Sequence, residues 1–304
     1  MTAAGLSAAR EIAADIKLSH SVFALPFALL GAFMALPEGP MAWDRLAVTG
    51  ALVVACMVTA RTAAMVANRL LDRAIDARNP RTAQRALPAG RVSPGAMRMA
   101  YVGSALAFVA CTAGFGVLQG NWWPLALVLP VLAWISAYGL VKRFSMLCHV
   151  WLGAGLAISP LAAALAVRPG ALGSPAPWFL SAMVLLWVAG FDVLYAMQDT
   201  EVDVRDGLHS MPSRLGPARA AWVSRAMHAG CIAMLAFTWR AEPVFGPAFG
   251  AASILAAAVI VGEHVLLATG GAGGFAKHFT LLNGIVSVVL GATGIASVVA
   301  SRGS

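Results

Sequence analysis

Asn68-Arg69-Leu70-Leu71-Asp72-Arg73-Ala74-Ile75-Asp76 decides the reading of this chain. The stretch is polar, yet it continues without a break from an apolar run, Leu46 to Ala67. Helix formers fill it and neither Gly nor Pro interrupts it, so a helix is predicted with its charge at one end. Asn68, Asp72 and Asp76 recur at i, i+4 and i+8, which puts three oxygen donors on one helical face. Such a row suits a hard divalent cation such as Mg²⁺, which leaves coordination positions for phosphate oxygens. The competing reading is a solvated helix end, because Arg69 and Arg73 alternate with the carboxylates.

Composition sets the solvent around that helix. The 304 residues are 60% hydrophobic and 11% charged, with a mean hydropathy of +0.80. Soluble domains carry about 25% charge, so the chain reads as an integral membrane protein, one membrane-embedded domain over residues 1–304. Cys56, Cys111, Cys148 and Cys231 lie in apolar runs without paired spacing. They read as core residues, with neither a disulfide framework nor a zinc site.

Outward from the motif, residues 1–17 form an amphipathic segment expected to lie at the membrane surface, with Leu6, Ala9, Ile12, Ala13 and Ile16 at helical spacing. No small-residue cleavage site follows a short apolar core, so it is not read as a signal peptide. Nine apolar runs are expected to span, near 18–37, 46–67, 97–118, 121–140, 147–167, 177–198, 218–239, 245–269 and 277–301. With the N-terminus inside, most Lys and Arg fall on the cytoplasmic side, while the other face holds Arg45, Arg168, Arg240 and Arg302. This is the positive-inside pattern. Trp43, Trp122, Trp123, Trp178 and Trp239 sit at the opposite ends as an outer aromatic belt. The basic pI near 10 therefore marks one membrane face and gives no reason to invoke nucleic acid.

A second acidic array closes the sixth run, Gln198-Asp199-Thr200-Glu201-Val202-Asp203-Val204-Arg205-Asp206. Asp199 and Asp203 are again i, i+4, and Asp192 and Tyr195 lie within the two preceding turns on nearly the same face. An even number of crossings separates the two arrays, so both reach the same membrane face. Asn68 and Asp199 are 131 residues apart, as are Asp72 and Asp203. That spacing suggests a pseudo-repeat of four-helix units plus one extra helix. Facing carboxylates need cations between them, and two Mg²⁺ ions bridged by a diphosphate meet that need. Beside the arrays lie Arg81, Lys142 and Arg143, positioned to clamp a leaving diphosphate. Arg85, Arg91, Arg98, Arg219 and Arg225 read instead as positive-inside cations meeting lipid headgroups.

These motifs together resemble the UbiA-type intramembrane polyprenyltransferases, and within them the 4-hydroxybenzoate polyprenyltransferases of quinone biosynthesis. The resemblance rests on NxxxDxxxD at Asn68–Asp76, RTxxR-x-LPxG at Arg81–Gly90, YxxxKR at Tyr138–Arg143 and DxxYAxxDxxxD at Asp192–Asp203. It implies an all-α membrane fold of nine transmembrane helices around a central cavity, with Mg²⁺ held at the cytoplasmic end. It implies metal ligation by Asn68, Asp72, Asp76, Asp199 and Asp203. Diphosphate binding falls to Arg81, Tyr138, Lys142 and Arg143, and catalysis to Asp72, Asp192 and Asp199. Arg61 and Tyr195 are expected to bind the acceptor. Arg61 lies two turns before Asn68 on the same face, where the resembled family tends to carry Arg. Bracing of the helices, with Asp192 as partner, is the alternative role for Arg61.

Two departures bear on the acceptor. Arg69 stands where the ubiquinone branch usually has Asp, and His209 where it usually has Lys. Leu18-Ser19-His20-Ser21-Val22-Phe23-Ala24-Leu25-Pro26-Phe27-Ala28-Leu29 looks more like a sister group linked to menaquinone through a dihydroxynaphthoate. The expected partners are a polyprenyl diphosphate, an aromatic acid and membrane lipid, in a bacterial inner membrane with the active site towards the cytoplasm. A transporter is the reading from another class, since intramembrane carboxylates also mark ion pathways. Carboxylates clustered at one face rather than at mid-bilayer argue against it.

Overall fold

The long helix α3, Trp43–Arg78, runs without a break through the apolar run and the whole first acidic motif. The structure, a computed structural model, describes residues 3–16, 23–37, 39 and 41–303. Lys17 and residues 18–22, the start of the first expected span, lie outside the described residues. Before α3 come α1, Ala3–Asp15, and α2, Leu25–Met34. After it come α4, Pro94–Gln119, and three short helices, α5 at Trp123–Ala126, α6 at Val128–Ser136 and α7 at Tyr138–Val141. Next are α8, Cys148–Val167, and α9, Ala176–Ala196, which tightens into a 3₁₀ turn, Met197–Asp199, and then α10, Thr200–Arg205. The chain continues through α11, Met211–Leu215, α12, Pro217–Ala241, and α13, Pro247–Gly303.

Local chemistry accounts for several boundaries. Ser93 caps α4 by accepting from the Ala96 N–H at 3.1 Å, Pro94 follows it, and Gly120 ends the helix at φ +73°. Pro130 has no N–H to give the Ala126 carbonyl, and the expected 121–140 run breaks next to that residue. The expected runs 245–269 and 277–301 are not separated by a loop. They form α13, broken by Gly271 at φ +63°, a backbone state that glycine adopts at no steric cost.

Among the described residues, six helical stretches are long and apolar enough to cross a membrane: α3, α4, α8, α9 with α10, α12 and α13. The remaining expected crossings are described as the ten-residue α2 and the broken α5–α7 segment. An aromatic core joins α2, α9 and α13, with Phe27 edge-on to Trp187 at 5.6 Å and Phe191 edge-on to Phe279 at 5.2 Å. Lipid tails are as apolar as leucine, so close packing holds such helices together. Leu106, Leu129 and Ile254 instead point outward, each more than 60% exposed, as a lipid-facing surface requires.

The two ends of the bundle differ in charge. At one end Arg168 and Arg302 donate to carbonyls just past α2, Ala35 at 3.1 Å and Leu36 at 3.0 Å. At the other end the two acidic motifs meet.

Candidate active site

The end of α3 supplies the first half of the site. Asp72 and Asp76 are buried on one face, as their spacing predicts. Asp72 accepts from Asn68 Nδ2 at 2.9 Å and from Lys142 Nζ at 2.5 Å. Arg143 lies 4.0 Å from the same carboxylate and donates to the Leu71 carbonyl. Asp76 accepts at both oxygens from Arg85 Nη1, at 2.7 and 2.8 Å.

The second half comes from the turn after α9. Asp199 sits in the 3₁₀ segment and Asp203 on the short α10 that follows, so the second motif does not lie on one regular α-helix. The side-chain bonds of Asp199 run to the loop after α3. It accepts from Asn79 Nδ2 at 3.0 Å and from Arg81 Nε at 2.9 Å, and Arg81 Nη2 pairs with its second oxygen. Burial works against the charge on Arg81, but the Asp199 hydrogen bond and charge outweigh it and hold the guanidinium above its ordinary pKa. Arg81 also stacks 5.6 Å over the Tyr195 ring, which packs on Phe279. An outer pair, Arg78 with Asp206 at 3.1 Å, ties the same two segments together. The two acidic motifs therefore share one end of the bundle.

The loop after α10 is clipped to the α7–α8 connection. His209 N–H donates to the Lys142 carbonyl at 2.7 Å, and Met211 N–H donates to His149 Nε2 at 3.1 Å. The other ring nitrogen, Nδ1, faces Asp192 Oδ2 at 2.7 Å. Asp192 is thus held by His149, whereas Arg61 was its expected bracing partner.

Below this polar layer lies a cavity of about 350 Å³ lined by α2, α3, α4, α5–α7 and α8. Its wall is apolar and aromatic, with Phe108, Phe115 and the stacked pair Trp134 and Trp151, whose ring centres are 3.7 Å apart. Arg61 is the charged residue among its described lining, and Tyr138 also faces it. Asp192 and Tyr195 are outside that lining.

The donor set fits a hard cation. Four carboxylates and the Asn68 amide lie at one end of the bundle, and Asp72 Oδ1 is buried without a hydrogen bond. Yet among the described residues no three His, Cys, Asp or Glu side chains converge closely enough to hold a metal. Each of the carboxylates Asp72, Asp76 and Asp199 is neutralised by its own cation, Lys142, Arg85 or Arg81. Like charges repel at short range, so in this arrangement the carboxylates take separate partners.

Sequence reasoning gave no role to Asn79 or His149, and it read Arg85 as a cation meeting lipid headgroups, whereas Arg85 pairs with Asp76. Asn79 precedes Pro80, a turn signal that also places its amide beside the second motif. Arg85 is four residues after Arg81, and nothing in the sequence separates a cation that pairs from one that meets lipid. Arg69 is buried as well, ion-paired with Asp15 at 3.2 Å and donating a hydrogen bond to Asn68 Oδ1 at 3.0 Å.

The profile of the UbiA prenyltransferase family matches residues 24–283, so the chain belongs to the UbiA prenyltransferase family. It is similar to the mitochondrial 4-hydroxybenzoate polyprenyltransferase of Saccharomyces cerevisiae, 31% identical over 66% of this chain and 50% of that one. It is likewise similar to the 4-hydroxybenzoate octaprenyltransferase of Methylococcus capsulatus, 31% identical over 53% of this chain and 52% of that one. The chain thus spans about half the length of the curated relatives it matches. Among solved structures, a UbiA homologue from Aeropyrum pernix K1 superposes with a TM-score of 0.80 at 31% identity, covering 92% of this chain and 98% of that one. A homologue from Archaeoglobus fulgidus, bound to GPP and Mg²⁺, shares the fold with a TM-score of 0.66 at 17% identity, covering 95% and 99%.

Proposed function

We propose that this membrane protein transfers a polyprenyl group from a polyprenyl diphosphate to an aromatic acid of the 4-hydroxybenzoate type, in quinone biosynthesis and with Mg²⁺ as cofactor. The observation that carries the reading is one end of the bundle where acidic motifs and cations interleave over an apolar cavity holding Arg61. Family membership and the activities of the curated relatives support it.

Asn68, Asp72, Asp76, Asp199 and Asp203 would hold the metal. Bound Mg²⁺ supplies positive charge against the departing diphosphate. Arg81, Lys142 and Arg143 bind diphosphate oxygens, with Tyr138 beside them, and stabilise the charge that develops as the allylic C–O bond breaks. The bonding pair leaves with the diphosphate. The electron-rich ring attacks the allylic cation, a C–C bond forms, and the ring loses a proton to a base. The apolar cavity keeps water from the cation and accommodates the isoprenoid tail. Arg61 grips the acid's carboxylate through two parallel hydrogen bonds, and Tyr195 is proposed to contact the acceptor from the other side.

A dihydroxynaphthoate acceptor, as in menaquinone synthesis, is the second reading. The observation behind it is Arg69, which is buried against Asp15 where the ubiquinone branch usually carries a carboxylate. Membranes containing the protein should convert labelled polyprenyl diphosphate and Mg²⁺ into a prenylated product with one member of a panel of aromatic acids. Product with 4-hydroxybenzoate supports the first acceptor, and product with the dihydroxynaphthoate alone replaces it by the second. Absence of product with every acid, from protein that binds the diphosphate, contradicts the reading.

A further inference from the structure

His149 is nearly fully buried at the start of α8, and both of its ring nitrogens are engaged. A backbone N–H can only donate, so the Met211 N–H fixes the lone pair on Nε2. The proton of the neutral ring then sits on Nδ1 and points at Asp192 Oδ2, 2.7 Å away. One tautomer and one ring orientation follow from these two contacts. A protonated ring would set Nε2–H against Met211 N–H, donor against donor.

Asp192 is held in turn. Its bonded oxygen accepts from His149, and among the described residues its other oxygen makes no hydrogen bond. The side chain is 15% exposed, whereas that of His149 is 2% exposed. Asp192 lies within electrostatic reach of Tyr138, which lines the cavity, and two turns before Asp199. It therefore lies near a residue of the cavity wall and on the helix that leads to the second acidic motif.

We propose that His149 is a positioning residue whose Nδ1–H fixes the Asp192 carboxylate so that its other oxygen takes the proton released by the prenylated ring. This rests on the transferase reading above. The step balances. The ring carbon forms the new C–C bond with the allylic carbon, and its C–H bond breaks. The electron pair restores aromaticity, and the proton passes to Asp192, then to solvent or the released diphosphate. His149 keeps its proton throughout, because its Nε2 stays committed to Met211.

Five purified proteins test this: wild type, His149→Leu, His149→Gln, Asp192→Asn and the His149→Leu/Asp192→Asn double variant. Glutamine offers an N–H to Asp192 and an oxygen to Met211, so His149→Gln should recover most of the rate lost in His149→Leu. His149→Leu should lower kcat about tenfold or more, with the KM for the prenyl diphosphate within about twofold, in the range of general-base effects. The double variant should be no slower than Asp192→Asn alone, because the two residues act as one unit. If the losses multiply, or if His149→Gln is as slow as His149→Leu at unchanged thermal stability, His149 does not act through Asp192. A wild type that binds the diphosphate yet makes no product with any aromatic acid overturns the transferase reading itself. An active wild type with multiplying losses overturns this proposal alone.

Discussion

Arg61 is a guanidinium in the apolar part of α3, where a charge is costly and is retained for function or pairing. Its expected bracing partner, Asp192, is instead bonded to His149. Arg61 lines the apolar cavity, in the position from which it would meet an acid carried there. A lysine keeps the charge but cannot offer two parallel donors. Arg61→Lys is therefore expected to raise the KM for the aromatic acid by about tenfold, the worth of about 1.4 kcal/mol, while leaving the KM for the prenyl diphosphate unchanged. Steady-state kinetics with each substrate varied in turn checks this. An unchanged acid KM in a less stable protein would assign Arg61 to bracing alone.

At the scale of elements, α1 belongs to the site's support. Ile12 and Ile16 are buried with Val66, Leu87, Val92 and Met97, and Glu11 pairs with Arg91 at 2.8 Å. Asp15 holds Arg69, Arg69 holds Asn68, and Asn68 holds Asp72. The segment expected to lie at the membrane surface thus also packs against the loop that carries Arg81 and Arg85. Ile16→Ala should cost about 2–3 kcal/mol of docking and make the 79–93 loop more open to trypsin at Arg85 and Arg91. Equal cleavage rates in wild type and variant would show that α1 does not support the loop. The helices were legible in the sequence because apolar length and the i, i+4 rows are local signals. The break beside Ala126 was half legible, from Pro130. The 3₁₀ turn at Asp199 was not, since the bonds of Asp199 to Asn79 and Arg81 are made to a segment some 120 residues away. The Arg85 pair with Asp76 is only nine residues apart but spans the turn after α3, so no helical spacing marks it, and the His149 partners lie on α9 and the loop after α10. A histidine in an apolar run carries no mark of which neighbours its ring will meet.

Over the whole molecule, the polar end carries both acidic motifs, and the far end carries Arg168 and Arg302 against carbonyls at the end of α2. The proposed orientation puts the motif end in the cytoplasm, following the excess of Lys and Arg there. In a background lacking the four native thiols, a cysteine at Ala83 or Ser213 should resist an impermeant thiol reagent outside intact cells and react once the inner face is opened. Labelling from outside would invert the topology.

The two acidic motifs, one at the end of α3 and one after α9, are proposed to form a single diphosphate site. Asp72 and Asp199 anchor the two halves through Lys142 and Arg81. The direct measurement is the product-formation rate of Asp72→Asn and of Asp199→Asn at saturating Mg²⁺, beside thermal unfolding in detergent. Both substitutions keep side-chain volume. Each substitution is expected to lower turnover by about a hundredfold or more, the scale of losing one electrostatic element of such a site, in protein that still folds. A near-normal rate in either variant would contradict the single site.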